Sequence, residues 1–87
     1  MLKIQRSANG QVVFKLSGRM DAENISCVKT LFETEANDRR IVLDLTDLTL
    51  IDRNSVIFLV NCEANDIKLT NCPAYIREWI ERERDGS

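Results

Sequence analysis

The stretch RIVLDLTDLTLIDRNSVIFLV, residues 40–60, decides the fold of this chain. Residues 41–45 are large aliphatics broken by a single aspartate, Asp44, which is the pattern of a strand buried on both faces. The polar residues 46–52 predict a loop. Val56, Leu59 and Val60 then return at helical spacing. A buried strand therefore leads through an acidic loop into a helix, and we expect the working surface to lie where that helix starts.

Alternating apolar and polar residues before this stretch predict a β-hairpin. Residues 2–6 and residues 12–17 each alternate in the way that half-exposed strands do. Between them, Asn9-Gly10 is a strong hairpin signal, because both residues tolerate positive φ. We expect the turn to occupy residues 7–10 and the two strands to be antiparallel.

Two helices are predicted by their caps and their apolar spacing. Asp21 is suited to cap a helix that runs from about Ala22 to Ala36 and is closed by Asn37 and Asp38. Asp52 is suited to cap a second helix, which we expect to end near Ala64 because a turn-forming Asn-Asp pair follows.

A short strand over residues 67–70 and a third helix complete the predicted order. Pro73 suits the first turn of that helix, where its missing N–H costs nothing. Its packing face is formed by Tyr75, Ile76, Trp79 and Ile80, and the charged residues from Glu81 onward are expected to fray. The order ββαβαβα predicts an α/β fold with a mixed, mainly parallel four-stranded sheet and three helices. With 87 residues the chain is one domain, with a core over about residues 2–82.

Charge and composition exclude several functions. The net charge of −2 gives no basic field, so we expect no nucleic-acid partner. No apolar stretch is long enough to span a membrane and the N-terminus lacks a signal region, so we expect a cytoplasmic protein. The chain has no histidine, which removes the usual imidazole base and metal ligand. We expect no enzyme, no cofactor and no metal.

Four acidic residues, Asp21, Asp44, Asp47 and Asp52, allow two interpretations. In the first interpretation they gather at one end of the sheet and form a metal or general-acid site. In the second they are two helix caps, a strand-end aspartate and a solvated turn residue. The second is favoured, because capping accounts for Asp21 and Asp52 fully.

Cysteines and aromatic residues also allow a functional and a structural interpretation. One interpretation is that Cys62 and Cys72 form a redox pair; the other is that they are small buried hydrophobic residues. The second is favoured, because a reducing compartment keeps thiols reduced. Trp79 and Tyr75 form a ligand platform or, as is more common at helical spacing, belong to the core or to a dimer contact.

Four short motifs together resemble the STAS domain, the module shared by anti-sigma-factor antagonists and sulfate-transporter tails. Gly18-Arg19-Met20-Asp21 is similar to the family's turn into its first helix, and residues 41–45 to its central strand. Residues 50–52 resemble the approach to its switch loop, and residues 69–73 the strand-to-helix step that follows. The resemblance covers about residues 2–82 and rests on the order and spacing of these motifs.

The switch loop departs from the family pattern. The family loop commonly reads Asp-Ser-Ser-Gly, and a partner kinase phosphorylates the second serine. Here Asn54 stands at that phosphoacceptor position, and Ser55 stands where glycine is usual. Ser55 remains a candidate as a displaced phosphoacceptor, although its position further into the helix disfavours this role.

The resemblance therefore implies a non-enzymatic protein-interaction module of the anti-sigma-factor-antagonist type that phosphorylation does not switch. Its partner would be an anti-sigma factor or a kinase-like regulator. The implied partner-binding residues are Asp21, Asp47, Asp52, Arg53, Asn54 and Ser55. The alternative is a small-ligand or nucleotide sensor that uses the same strand ends. The edge strand at residues 67–70 further predicts a weak homodimer.

Overall fold

The structure, a computed structural model, describes residues 2–35 and 40–86. Its strands are β1 (Leu2–Asn9), β2 (Gln11–Met20), β3 (Ile41–Ile51) and β4 (Lys68–Thr70). Its helices are α1 (Ala22–Glu33), α2 (Arg53–Ala64) and α3 (Ala74–Gly86). The predicted order ββαβαβα is confirmed.

The sheet has four strands in the order β1-β2-β3-β4. β1 pairs with β2 antiparallel, whereas β2 with β3 and β3 with β4 are parallel, so the mixed, mainly parallel sheet is also confirmed. The hairpin is tighter than predicted. Asn9 pairs directly with Gln11, which leaves Gly10 alone at the tip with a φ of 86°, a conformation that favours glycine.

The loop predicted at residues 46–52 is wrong, because β3 continues through it as far as Ile51. The second half of β3 pairs with the end of β2, where Ser17 lies opposite Asp47 and Met20 opposite Ile51. Because of this continued pairing, the Leu48 side chain lies in the core, where it is only 2% exposed. The register slips twice between β2 and β3, once on each side of Ser17-Gly18, and this lets the polar stretch stay in the sheet.

Helices cover one face of the sheet. Side chains from all three helices join Phe14, Leu43 and Leu45 in a single apolar cluster. The other face carries Lys15 and the half-buried Asp44, which are opposite each other in the β2–β3 register, and no described helix packs there. The apolar run at residues 41–45 is therefore central as predicted. The described helices cover one of its faces, and on the other face Val42 is still only 4% exposed.

α1 ends earlier than predicted, at Glu33. Thr34 caps it, because both its backbone N–H and its hydroxyl donate to the Leu31 carbonyl, at 3.3 and 2.7 Å. The predicted last turn at Ala36 and the closing Asn37-Asp38 lie outside the described residues.

α3 is longer than expected and is joined to α2 by ion pairs. Arg77 donates to both oxygens of the Glu63 carboxylate, at 3.0 and 3.1 Å, and Arg84 contacts the same carboxylate. The hydrogen bonds from the Arg77 guanidinium to the Glu63 carboxylate lower the pKa of Glu63. Residues 81–86 thus continue the helix, and the fraying expected for them stays a prediction. Within residues 2–35 and 40–86, no helix is long and apolar enough to cross a membrane.

Candidate interaction surface at two helix starts

The starts of α1 and α2 lie side by side, and one carboxylate bonds to both. Asp52 Oδ1 accepts a hydrogen bond from the Ser55 backbone N–H at 2.9 Å, which caps α2 as predicted. Asp52 Oδ2 accepts from the N–H of Ala22, the first residue of α1, at 3.2 Å. The Asp52 side chain therefore satisfies a free N–H group on each helix and fixes the two starts relative to each other.

Asp21 caps α1 through a reciprocal pair of hydrogen bonds. Its carboxylate accepts from the backbone N–H of Glu23 at 3.1 Å, and its own N–H donates to the Asn24 side chain at 3.2 Å. This capping box, here completed by asparagine rather than by Glu or Gln, confirms the predicted cap. Two rigid helix starts therefore meet at this end of the sheet.

The Asp52 carboxylate is held in its charged form. Burial acts to raise the pKa of Asp52, but the hydrogen bonds that it accepts from the N–H groups of Ser55 and Ala22 help to outweigh burial and leave its pKa below the usual range. A charged carboxylate at a helix start is also favoured by the helix dipole. At neutral pH this surface therefore contains a fixed negative charge between two helix N-termini.

The first turn of α2 presents two residues to the outside and hides the third. Arg53 and Asn54 are exposed. Ser55 is fully buried; its Oγ makes no hydrogen bond of normal geometry among the described residues, but its hydroxyl lies near enough to the Asp52 carboxylate to help lower the pKa of Asp52. The Asn54 side chain is thus accessible, whereas the neighbouring Ser55 hydroxyl is not.

Asp44 and Asp47 lie away from the two helix starts. Asp47 forms an ion pair with Lys15 at 3.1 Å, on the face of the sheet that the described helices leave open. Asp44 accepts hydrogen bonds from the Thr46 hydroxyl and N–H at 2.6 and 3.0 Å, and these hold its pKa below the usual range. Nowhere in the described parts of the chain do three or more His, Cys, Asp or Glu side chains form a group suited to a metal ion.

Sequence reasoning missed two exposed apolar side chains near the helix starts. Leu50 is 60% exposed, although it belongs to the apolar run that ends β3. The sequence predicts Tyr75 on the packing face of α3, but Tyr75 is 49% exposed, and its hydroxyl donates to the Thr49 carbonyl at 2.6 Å. The core side of α3 is formed by Ile76 and Ile80, and the sequence carried no signal for the Tyr75 contact.

All three cysteines are free thiols. Cys62 is buried in the core, and burial raises its pKa to about 12. Burial also raises the pKa of Cys72. Because the thiolate is the reactive form, these shifts favour the interpretation of Cys62 and Cys72 as small hydrophobes over that of a redox pair.

A family model for the STAS domain matches residues 2–72 of the chain. The matched region takes in all four strands together with α1 and α2, and therefore both helix starts described above. No curated protein matches the chain.

Proposed function

The chain belongs to the STAS domain family, and from this membership we propose that it is a non-enzymatic protein-interaction module of the anti-sigma-factor-antagonist type. The observation that supports this most directly is the exposure of Arg53 and Asn54 on the first turn of α2. The proposed partner is an anti-sigma factor or a kinase-like regulator in the cytoplasm.

The chemistry of the α2 start is suited to a partner that offers oxygen acceptors. Asp52 takes the Ser55 N–H, while the backbone N–H groups of Arg53 and Asn54 have no acceptor among the described residues. These two unpaired N–H groups, together with the positive end of the helix dipole, are available to a carbonyl or carboxylate of a partner. Because Asp52 also bonds to Ala22, this surface is preorganised and loses little freedom on binding.

The proposed contact surface is narrower than the sequence implied. The surface consists of Asp21, Asp52, Arg53 and Asn54 at the two helix starts. Ser55 is buried beneath these residues and is not expected to contact the partner directly. We leave Asp47 out, because its carboxylate pairs with Lys15 on the open face of the sheet. The exposed Leu50, which precedes this turn by two residues, adds apolar area to the surface.

Regulation by phosphate on the switch loop is not part of the proposed function. An asparagine amide at position 54 is not phosphorylated, and the Ser55 hydroxyl is buried. Asn54 is neutral, polar and similar in size to serine, so it resembles the unphosphorylated state of the family loop. We propose that the module is always competent to bind and that control lies in its abundance or in its partner.

Affinity capture from the native host, with the full chain as bait, tests the proposed function. We expect the wild-type chain to retain an anti-sigma factor or a related signalling protein, and Asn54→Asp to retain much less of it. The charge at the first turn favours the helix itself, so the loss would reflect the interface. Gln11→Glu is the matched control, because it adds the same charge at the exposed start of β2.

Two outcomes would contradict the proposal. One is the reproducible absence of any captured protein. The other is equal capture by the wild-type chain and by Asn54→Asp.

The weak homodimer is a separate prediction, and light scattering at high micromolar concentration would contradict it by showing monomer alone.

A further inference from the structure

A groove of about 800 Å³ runs between α2 and α3. This volume lies within the range of roughly 300–1,000 Å³ that is typical of small-molecule sites. The groove is lined by Arg53, Ile57, Val60, Asn61, Trp79, Arg82, Glu83 and Gly86. It lies beside the helix-start surface and shares only Arg53 with it.

The groove has an apolar wall on each helix. Ile57 on α2 is 39% exposed, and it is one of three large hydrophobic side chains that are exposed in the described residues. Trp79 on α3 is half-buried, so part of its ring faces the groove. A concave apolar surface of this kind favours a ligand with an aromatic or aliphatic body.

The same groove carries an excess of positive charge. Arg53 is 73% exposed and uses its Nε to donate to Glu83 at 3.1 Å, so its terminal nitrogens remain available. Arg82 is exposed and forms no ion pair among the described residues. With two arginines against one glutamate, the charged lining of the groove sums to +1.

We propose that this groove binds a small amphipathic anion, with its apolar body against Trp79 and Ile57 and its acidic headgroup beside Arg82 and Arg53. The headgroup is a carboxylate, sulfonate or phosphate, the groups that guanidinium binds with charge-assisted hydrogen bonds. The groove and the proposed partner surface share Arg53, but this inference does not rest on the protein partner, and either proposal stands if the other fails.

The chain supplies its own reporter, because Trp79 is the only tryptophan. The probe is 8-anilino-1-naphthalenesulfonate, and its matched neutral partner is N-phenyl-1-naphthylamine, which has the same aromatic frame without the sulfonate. We expect the anionic probe to bind at one saturable site with quenching of Trp79 emission. The neutral probe should bind roughly tenfold more weakly, since it lacks the charge-assisted contact.

Three variants separate the groove from general surface charge. Arg82→Gln should weaken the anionic probe about tenfold and leave the neutral probe unchanged. Arg40→Gln is the matched control, since it removes the same charge from an exposed residue outside the groove. Glu83→Gln should strengthen the anionic probe roughly two- to fivefold, because it removes the negative charge that competes for Arg53. A loosened fold also binds this probe more strongly, so the gain supports the inference only if the thermal melt of Glu83→Gln matches that of the wild type.

Four results would overturn the inference. They are a lack of Trp79 quenching, equal affinity for the two probes, equal effects of Arg82→Gln and Arg40→Gln, and weaker anion binding by Glu83→Gln. Thermal melting of each variant checks that the fold is intact before the titrations are compared.

Discussion

The Oδ2 atom of Asp52 lies 3.2 Å from the backbone nitrogen of Ala22, thirty residues away in the chain. The carboxylate that caps α2 therefore also stabilises the start of α1. Among the described residues, the polar contacts of Asp21, the cap of α1, are all local: Glu23 and Asn24 by hydrogen bonds, and Arg19 in an ion pair at 4.0 Å. The two aspartates look alike in the sequence, but only one of them joins separate parts of the fold.

Replacing Asp52 should therefore cost more stability than replacing Asp21. We expect Asp52→Ala to lower the free energy of unfolding by about 2 to 3 kcal/mol, since it leaves two N–H groups unpaired. Asp21→Ala should cost about 1 kcal/mol, as an ordinary cap does. Urea unfolding at pH 7 measures both. Equal losses would show that the Asp52–Ala22 hydrogen bond contributes nothing.

Stability should fall in acid because several carboxylates have lowered pKa values in the folded state. Asp44 and Asp52 start from 3.8 and Glu63 from 4.5, and each lies lower when folded. The unfolded chain therefore binds more protons as the pH drops. The contribution of these groups is complete above about pH 5 and is lost as the pH falls through the folded values.

Asp44→Asn tests this pH dependence at one group. The variant should be less stable than the wild type at pH 7, and the difference should shrink as the pH is lowered through the folded pKa of Asp44 and the wild-type carboxyl takes up its proton. Unfolding in urea across this range provides the measurement. A stability difference that does not change with pH would contradict the assignment of the lowered pKa to Asp44.

Two leucines of β3 make a matched pair for the core. Leu43 is fully buried and Leu50 is 60% exposed. Leu43→Ala should cost about 2 to 5 kcal/mol, as large-to-small core changes do. Leu50→Ala should stay within about 0.5 kcal/mol. A loss below about 1 kcal/mol for Leu43→Ala would mean that the centre of the sheet repacks easily.

Ser55 should tolerate loss of its hydroxyl but not the addition of a charge. Its buried Oγ makes no hydrogen bond of normal geometry among the described residues and interacts only weakly with the Asp52 carboxylate, so Ser55→Ala should change stability by no more than about 1 kcal/mol in either direction. Ser55→Asp should cost at least about 2 kcal/mol, because it buries a charge beside Asp52. Thermal melting compares the two variants.

The mass of the protein from its native host completes this test. We expect no phosphate on Ser55, since the hydroxyl is not at the surface. A phosphorylated species, or a loss of more than 1 kcal/mol in Ser55→Ala, would show that the hydroxyl has a role that the buried geometry does not account for.

Features set by neighbouring residues could be predicted from the sequence. The caps at Asp21 and Asp52 each depend on a backbone N–H two or three residues later in the chain, and both predicted caps are confirmed. The burial of Leu43 follows from the apolar run around it, and the hairpin follows from Asn9-Gly10.

Features set by distant residues could not be predicted. The polar stretch that ends β3 becomes a strand only because β2 pairs with it, so its local composition is misleading. The contact of Tyr75 with the Thr49 carbonyl joins positions 26 residues apart. The bond from Ala22 to Asp52 spans 30 residues, and no local pattern signals it.

The β2–β3 register also bears on the order of events during folding. β1 and β2 meet through a hairpin and close a short loop, whereas Val12 pairs with Ile41 and Met20 with Ile51, about thirty residues apart. Closing the longer loop costs more chain entropy before its contacts form, so we expect the hairpin to form first and the parallel pairing to limit the rate. The hydrogen bond from the Thr49 hydroxyl to the Gly18 carbonyl would then form only after that slow step. Time-resolved exchange of the backbone amides of β1 and β2 against those of β3 can order the two pairings.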